Sequence, residues 1–369
     1  ARNLLQKWSE EAGMTMKVDE LGSMFLKREG IDKNALPVVI GSHLDTQPTG
    51  GKYDGVLGVL AGLEIIRTLN DLNIQTKHPI MIVNWTNEEG SRFPPAMMAS
   101  AGYAGIYDVK TLLSAEDAEG NIFGKELEKI GWKGTEPVGE QKIHCYYELH
   151  IEQGPVLETE EIDIGVVTHG QGLKWLEVQL SGTEQHTGTT PMHVRKDTSL
   201  AMSEIILAVN NIAYKNQPNA LGSVGHIEVS PNSRNVIAGH SIFTIDFRSP
   251  DITKLDKMEN ELKLLAIDIC KKYKVNFNMK QIGGFDPVTF DKDCLTNIRK
   301  SAEKFGYTYK DIVSGAGHDA CWINSVAPSA MIMCPCVDGL SHNEAEEIKP
   351  EWASSSTNVL LHAAIASAK

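Results

Sequence analysis

Apolar and polar positions follow two different rhythms along the chain. In residues 8–167, short continuous apolar runs, such as 36–40 and 79–83, are separated by longer stretches with helical spacing, such as 56–67. A continuous apolar run is typical of a strand buried on both faces, and helices between such strands indicate α/β layering around a mostly parallel sheet. This part of the chain is therefore predicted to be an α/β domain.

The rhythm changes after residue 170. Strand-like alternation or helical spacing then recurs in six segments, which are residues 173–180, 195–213, 223–229, 241–247, 253–273 and 275–279. Their predicted order, β-α-β-β-α-β, is the ferredoxin-like α+β arrangement. α/β character returns near Gly283, with a predicted helix at 294–305 and an apolar run at 329–333. We expect a discontinuous catalytic domain, residues 1–170 and 285–369, with an inserted domain at 171–284.

Composition narrows the class of protein. With 369 residues, 41% of them hydrophobic, the chain exceeds the size at which a single core usually keeps growing. Its 48 acidic and 35 basic residues give a net charge of -13, which argues against nucleic acid or an anionic membrane as a partner. No apolar run approaches the roughly 20 residues of a membrane span, and residues 1–8 have the pattern of an amphipathic helix. Six scattered cysteines predict no disulfides and a reducing, cytoplasmic compartment.

Candidate metal ligands follow the apolar run at 36–40. His43 and Asp45 are two residues apart, so on a continuing strand they share a face. Asp54 lies in a glycine-rich turn before the helical stretch at 56–67. We expect His43 to bind a metal while the Asp45 carboxylate accepts the other ring N–H of His43 and orients the imidazole.

An acidic pair, Glu88 and Glu89, directly follows the next apolar run. Open α/β sheets place their sites at the carboxyl ends of strands, although adjacent glutamates are also common on ordinary surfaces. In a site, one glutamate would bind a metal and the other would take a proton from water, and the residues alone leave open which does which.

Two histidines complete the candidate set. His150 lies in an apolar run, where a satisfied core histidine is the commoner alternative, and His342 lies in a loop that begins with glycine. Together with Asp54 and a glutamate they give a nitrogen and oxygen ligand set that suits zinc, with manganese, cobalt or nickel as alternatives. Five ligands exceed the three of a typical single catalytic zinc, so two metals bridged by an aspartate are expected.

The inserted domain has polar signals of its own. His186 lies in a turn-rich loop, and Asn235 and Arg248 are predicted to flank a hairpin. An arginine on a strand is usually a solvated edge residue, but beside a hydrolytic site its planar guanidinium can clamp a carboxylate.

Six stretches carry these residues in order along the chain, which are 41–55, 87–90, 148–155, 186–191, 314–320 and 339–343. They resemble the motifs of the M20-type metallopeptidase and amidohydrolase superfamily. Within it, they resemble the hydantoinase/carbamoylase branch, which includes N-carbamoyl-L-amino-acid hydrolase, allantoate amidohydrolase and the yeast-type β-alanine synthase (β-ureidopropionase). The resemblance covers the chain from about residue 1 to its end, and members usually carry a further N-terminal segment.

The resemblance implies a role for each candidate residue. One metal would be held by His43, Asp54 and His150, and the second by Asp54 as the bridge with Glu89 and His342. Other residues would act on the substrate or support the site, namely Glu88 as the catalytic base, Asp45 behind His43, His186 as oxyanion stabiliser in the partner subunit, Gln153 near the scissile amide, and Asn235 with Arg248 on the substrate carboxylate. His318 and Asp319 match a further motif, for which a supporting and a purely structural role are both open.

The implied fold is a metallopeptidase-like catalytic domain with an inserted domain that acts as lid and homodimer interface. The implied reaction is hydrolysis of an N-carbamoyl amino acid to the free amino acid, ammonia and carbon dioxide. Allantoate amidohydrolase is the main alternative, ahead of an aminoacylase or dipeptidase, because the 148–154 stretch has the form of the carbamoylase branch. A non-catalytic binding relative would lack metal ligands, and all of them are present.

Overall fold

The computed structural model describes residues 1–369, which divide into two units. The first unit comprises residues 1–168 and 290–369, and the second comprises residues 169–289. The boundaries predicted from the sequence, after residues 170 and 284, lie a few residues from these limits.

A nine-stranded mixed sheet organises the first unit, and only its residues 169–170 and 288–289 fall within the limits of the second unit. Its strands are β1 (Thr15–Val18), β2 (Met24–Arg28), β3 (Val38–His43), β4 (Ile80–Trp85), β5 (Cys145–Ile151), β6 (Ile164–Gly170), β13 (Val288–Thr289), β14 (Tyr309–Ser314) and β15 (Ser329–Cys334). The order is β1-β2-β4-β3-β5-β15-β6-β13, with β14 also paired to β6. The four central strands, β4, β3, β5 and β15, are parallel, and antiparallel strands flank them.

Every residue of the four central strands is buried. This burial explains why their sequences are continuous apolar runs, since helices cover parallel strands on both faces. The helices of this unit are α1 (Arg2–Glu11), α2 (Val56–Asp71), α3 (Met98–Tyr103), α4 (Val109–Leu113), α5 (Phe123–Lys129), α6 (Val156–Thr159), α9 (Lys292–Phe305), α10 (Asp319–Ile323) and α11 (Pro350–Ser367).

The second unit is a four-stranded antiparallel sheet with two helices. Its elements are β7 (Gly172–Ser181), α7 (Thr198–Lys215), β9 (Leu221–Ser230), β11 (His240–Ser249), α8 (Ile252–Tyr273) and β12 (Asn276–Phe285), in the sheet order β12-β7-β11-β9. A short antiparallel pair, β8 (Gln185–His186) and β10 (Val236–Ile237), lies between them in sequence. Apolar residues of α7 and α8 pack with those of the sheet to form the core, which includes Phe243 and Phe247.

Two element boundaries in this unit differ from the sequence prediction. The helix predicted from residue 195 begins at Thr198, because the Asp197 side chain accepts a hydrogen bond from the N–H of Ser199 and caps the helix there. The strand predicted to end at residue 279 continues to Phe285. Gly283 lies inside it because the indole of Trp175 covers that position, and an added Cβ would lie 2.9 Å from the ring.

Two features bear on the environment of the chain. All six cysteines are free and buried. None of the helices combines the length and the apolar character that crossing a membrane requires.

Candidate active site

Three neighbouring parallel strands bring the candidate residues together. His43 is the last residue of β3, Glu88 and Glu89 lie in the loop after β4, and His150 is the next to last residue of β5. Because these strands are parallel neighbours, their carboxyl ends meet at one edge of the sheet. Residues more than a hundred positions apart in sequence are therefore adjacent in space.

Asp54 reaches this edge from the turn before α2. The next residue, Gly55, has a φ of 69° and lies against His43. A Cβ at Gly55 would be 2.4 to 2.5 Å from the atoms of the His43 ring, so only glycine permits this approach. The turn thus places Asp54, only 2% exposed, beside the histidines.

The Asp54 carboxylate lies between two groups of ligand-type atoms. Its Oδ1 is 3.4 Å from Nε2 of His43 and 3.0 Å from Nε2 of His150. Its Oδ2 is 3.5 Å from Nε2 of His342, which is 3.4 Å from Oε2 of Glu89. In each group the ligand atoms lie within 4.8 Å of one another. The Asp54 carboxylate therefore belongs to both groups, with Oδ1 in the first and Oδ2 in the second.

Backbone carbonyls orient the two buried imidazoles. Nδ1 of His43 is 2.9 Å from the carbonyl oxygen of Asp45, and Nδ1 of His150 is 3.0 Å from that of Ile151. A carbonyl oxygen can only accept, so each Nδ1 carries a hydrogen, and each Nε2 can turn its lone pair towards a cation at Asp54 once its own proton is displaced. This is the arrangement in which an imidazole binds a metal through Nε2.

The sequence predicted that the Asp45 carboxylate accepts the ring N–H of His43, and this partner is wrong. The group that accepts from His43 is the Asp45 backbone carbonyl, whereas the Asp45 carboxylate accepts the backbone N–H of Glu89 at 3.1 Å. The reason is that β3 ends at His43, so Asp45 lies in the following bend and not on the same strand face. Asp45 consequently ties the His43 segment to the loop that carries Glu89.

The buried carboxylates of the cluster favour bound positive charge. Burial lowers the pKa of His43, but Glu88 and Asp54 outweigh burial and raise it well above its usual value. Burial also lowers the pKa of His150, yet Asp54 raises it to about 9. Conversely, burial acts to raise the pKa of Asp54, and the two histidines lower it well below its usual range. Divalent cations would supply this charge and displace the histidine protons.

The donor set fits two such cations. Oε1 of Glu89 is buried and has no hydrogen-bond partner, which is costly for a carboxylate unless it meets a cation. Nitrogen and carboxylate oxygen donors suit zinc, manganese, cobalt or nickel. One cation would be held by His43, Asp54 and His150, and the second by Asp54, Glu89 and His342.

Glu88 lies beside the first of these groups but belongs to neither. Its Oε2 is 3.6 Å from Nε2 of His43. Burial raises the pKa of Glu88 well above its usual value, while His43 acts to lower it. A buried carboxyl with a raised pKa next to a metal ligand can accept a proton and release it again.

Two further residues contact the shared carboxylate. Nε2 of Gln153 donates to Oδ2 of Asp54 at 2.8 Å and to Oγ of Ser341 at 3.0 Å, and the Ser341 hydroxyl is 3.1 Å from the same Asp54 oxygen. Gln153 Oε1 is buried without a partner. The sequence prediction missed Ser341, although it directly precedes His342 in one of the motifs.

The 314–320 motif packs against His150. The rings of His318 and His150 meet edge to face, with 4.6 Å between their centroids. Nε2 of His318 is 2.8 Å from Oγ of Ser314. Burial lowers the pKa of His318 well below its usual value, so this ring is neutral. The next residue, Asp319, is fully buried, and Ala320 donates its N–H to Glu148 at 2.8 Å. The motif therefore supports the β5 end of the site.

A second residue that the sequence prediction missed, Glu346, lies against the backbone of Asp54. Oε1 of Glu346 accepts the backbone N–H groups of Tyr53 at 2.8 Å and of Asp54 at 3.1 Å. Its residue is fully buried, whereas Glu344 and Glu347 on either side are exposed. Nothing in the sequence spacing distinguishes the three.

His186 lies in the second unit, on the exposed strand β8. Its Nδ1 accepts the N–H groups of Gly188 at 3.1 Å and of Thr189 at 3.2 Å. The neutral ring therefore carries its hydrogen on Nε2 as a donor. Arg195 braces the same loop by donating to the carbonyl oxygens of Thr187 and Thr190.

Asn235 and Arg248 both belong to the β9–β11 hairpin, but they lie at its opposite ends. Asn235 adjoins His186, because its carbonyl accepts the N–H of Thr187 at 3.2 Å. Arg248 lies near the other end of β11, eight residues from His240 and thus roughly 27 Å away at about 3.4 Å per residue. Its guanidinium pairs with Asp246 at 2.9 Å. Within one chain, the length of β11 thus lies between Asn235 and Arg248.

The chain is similar to known proteins over most of its length. A family model described as Peptidase family M20/M25/M40 matches residues 39–366. The chain is 56% identical over 368 residues to an N-carbamoyl-L-amino-acid amidohydrolase of Rhizobium meliloti, covering 100% of this chain and 88% of the relative. It is 32% identical to a ureidoglycolate hydrolase of Arabidopsis thaliana, covering 98% and 78%.

Solved structures agree with these sequence relatives. A hydantoinase/carbamoylase family amidase from Burkholderia multivorans superposes with a TM-score of 0.96 at 49% identity, covering 100% of this chain and 89% of that one. A dinuclear metal-binding M20 peptidase from Bacillus subtilis superposes with a TM-score of 0.65 at 14% identity, which speaks for the fold alone.

The two ligand groups predict two divalent cations per chain. His342→Ala should leave one cation, because the group of His43, Asp54 and His150 stays intact. Asp54→Ala should lose both, because it removes an oxygen from each group. Elemental analysis after dialysis against zinc measures the stoichiometry, with exposed His226→Ala as the control. A single cation in the unaltered chain would contradict the shared carboxylate.

The Asp45 geometry predicts a graded response. Asp45→Asn should keep both cations, because the carbonyl that orients His43 is backbone and the amide oxygen still accepts from Glu89. Asp45→Ala removes that acceptor and should weaken metal affinity by about 10-fold. Competition with a chromogenic chelator measures both constants. Complete metal loss in Asp45→Asn would show that the side chain, and not the carbonyl, orients His43.

Proposed function

Because the chain belongs to peptidase family M20/M25/M40 and to its hydantoinase/carbamoylase branch, we propose that it hydrolyses the ureido C–N bond of N-carbamoyl amino acids. The products would be the free amino acid, ammonia and carbon dioxide. The observation that carries this proposal is the Asp54 carboxylate shared by two metal-binding groups, with Glu88 beside one of them. The 56% identity to an N-carbamoyl-L-amino-acid amidohydrolase supports the substrate class.

The residues of the site divide the chemistry among them. Two divalent cations, when bound, polarise the ureido carbonyl and lower the pKa of water towards about 7. Glu88 takes the proton of the attacking water and delivers it to the leaving nitrogen. His186 donates its Nε2 hydrogen to the negative charge that develops on the carbonyl oxygen. Gln153, with a buried free Oε1 next to Asp54, accepts a hydrogen bond from the ureido group.

A carboxylate on the substrate would bind to the second unit. Arg248 presents a planar guanidinium, which suits a carboxylate, and Asp246 fixes its orientation. His186 and Asn235 lie together at the opposite end of the sheet. These two groups of residues can serve one substrate only if they come from two copies of the chain.

The surface of the second unit supports such a homodimer. Leu200, Leu207 and Tyr214 recur every seven residues along α7 and are 42%, 62% and 72% exposed. The edge strand β9 exposes Leu221 and Ile227 and has a free hydrogen-bonding edge. An apolar stripe and an open strand edge are features that a second copy can cover.

Other details of the proposal follow the same line. Zinc is the metal we expect first, with manganese, cobalt and nickel as alternatives. Six free buried cysteines support a reducing, cytoplasmic location. Allantoate is the alternative substrate, because it also joins a ureido group to a carboxylate. The ureidoglycolate hydrolase relative, at 32% identity, makes ureidoglycolate a third compound to test.

Glu88→Gln should lower kcat by about 100- to 10,000-fold and leave the metal content unchanged, because the amide cannot accept the proton of water. The matched variant Glu89→Gln should instead lose one cation. Ammonia release from β-ureidopropionate, N-carbamoyl-L-amino acids, allantoate and ureidoglycolate measures the activity. If the wild-type protein with both metals releases ammonia only from allantoate, then allantoate replaces N-carbamoyl amino acids as the proposed substrate.

Mixed dimers test whether His186 acts across the interface. Glu88→Gln and His186→Ala chains should each be inactive alone. After unfolding and refolding as a mixture, activity should return, because a mixed dimer holds one site with an intact Glu88 and the partner's His186. Adding Leu207→Asp to both chains should abolish this recovery and shift the mass in light scattering to that of a monomer. Lack of recovery in a confirmed mixed dimer would place His186 in its own chain's site.

A further inference from the structure

The Glu346 carboxylate connects two segments of the first unit that are far apart in sequence. It follows His342 by four residues, and it accepts hydrogen bonds from the consecutive N–H groups of Tyr53 and Asp54. Its own N–H bonds to the carbonyl of Asn343 at 3.0 Å. The turn that directly follows His342 therefore ends in the residue whose carboxylate holds the backbone of Asp54.

The loop around Asp54 is closely fitted to this carboxylate. An added Cβ at Gly51 would lie 1.9 to 2.2 Å from the carboxyl atoms of Glu346, so a side chain there is excluded. Oε2 of Glu346 is buried without a hydrogen-bond partner. Burying a carboxylate this deeply is costly, and its retention needs a compensating interaction. The hydrogen bonds to Tyr53 and Asp54 are that interaction.

Two hydrogen bonds to one oxygen fix the peptide planes on both sides of the Tyr53 Cα and hence the position of the Asp54 backbone. The Asp54 side chain then has only two torsions, and its oxygens must lie 3.0 Å from His150 and 3.5 Å from His342 at the same time. A small shift of the backbone would favour one group over the other. A group that fixes the Asp54 backbone therefore also fixes the position of the shared carboxylate between the two groups.

We propose that Glu346 is a positioning residue for the shared carboxylate: it sets the backbone of Asp54 so that both cations are bound together. This inference rests on the metal centre described above. Glu346 contacts no substrate and donates no ligand atom to either group. Its effect reaches the chemistry through Asp54, and it couples the segment of His342 to the bridge.

The test compares Glu346→Ala, Glu346→Gln and, as control, exposed Glu347→Ala in the full chain. Zinc affinity is measured by chelator competition, stoichiometry by elemental analysis, and kcat and KM by ammonia release. Glu346→Ala should weaken zinc binding by about 10- to 100-fold and lower kcat with little change in KM. Glu346→Gln keeps an oxygen that accepts both N–H groups and should restore affinity to within about threefold. The control should match the wild type.

A second pair of variants guards against misfolding of Glu346→Ala. Gly51→Ala alone should weaken zinc binding, because its methyl group displaces the carboxylate. In the Glu346→Gln background the same clash persists, whereas in Glu346→Ala it is relieved, so Gly51→Ala should add little there. Folded Glu346→Ala with wild-type zinc affinity would overturn the proposal, as would Glu346→Gln no better than Glu346→Ala. Wild-type protein that binds two zinc ions without ureido hydrolysis would refute the function alone.

Discussion

The structure of the site depends on one carboxylate, that of Asp54, whose two oxygens lie in two different groups of ligand atoms. Asp54 is buried, and each of its oxygens faces a different group of ligand atoms. The same edge of the sheet buries Glu88, and the histidines respond to this negative charge with raised pKa values. Such a concentration of carboxylates is stable only with compensating positive charge. The metal centre is therefore part of the electrostatic balance of the fold.

Rigid backbone, more than side chains, holds this centre in place. The strands that end at His43 and His150 are buried along their whole length, so their ends cannot move independently. Backbone carbonyls orient both imidazoles, and backbone N–H groups bind Asp45 and Glu346. These main-chain groups lie at strand ends and in short loops beside them, so they lose little entropy on metal binding. Substitutions of the side chains that support the ligands, such as Asp45 and Glu346, should thus weaken metal binding gradually and not abolish it.

The sequence was sufficient for the main strands and for the set of candidate ligands, because continuous apolar runs mark buried parallel strands and the polar residues after them meet at one edge. The choice of Glu89 rather than Glu88 as a ligand came from the family resemblance. The sequence failed where the outcome depends on distance. Two residues of strand length decide whether Asp45 shares a face with His43, and the length of β11 separates Asn235 from Arg248. Glu346 has no sequence signature, since accepting two N–H groups nearly 300 positions away leaves no local pattern.

In the proposed homodimer, the second unit would supply His186 to the neighbouring molecule. The His186 loop makes its own hydrogen bonds, two into Nδ1 and two from Arg195, so it keeps its shape although it is exposed. A loop that is already ordered loses little entropy when a second chain binds it. Because the tautomer is fixed as well, the donor at Nε2 needs no rearrangement to meet a developing negative charge. Pre-organisation of an exposed histidine has a cost in a monomer and a benefit in a dimer, which is the physical reason to look for its function across an interface.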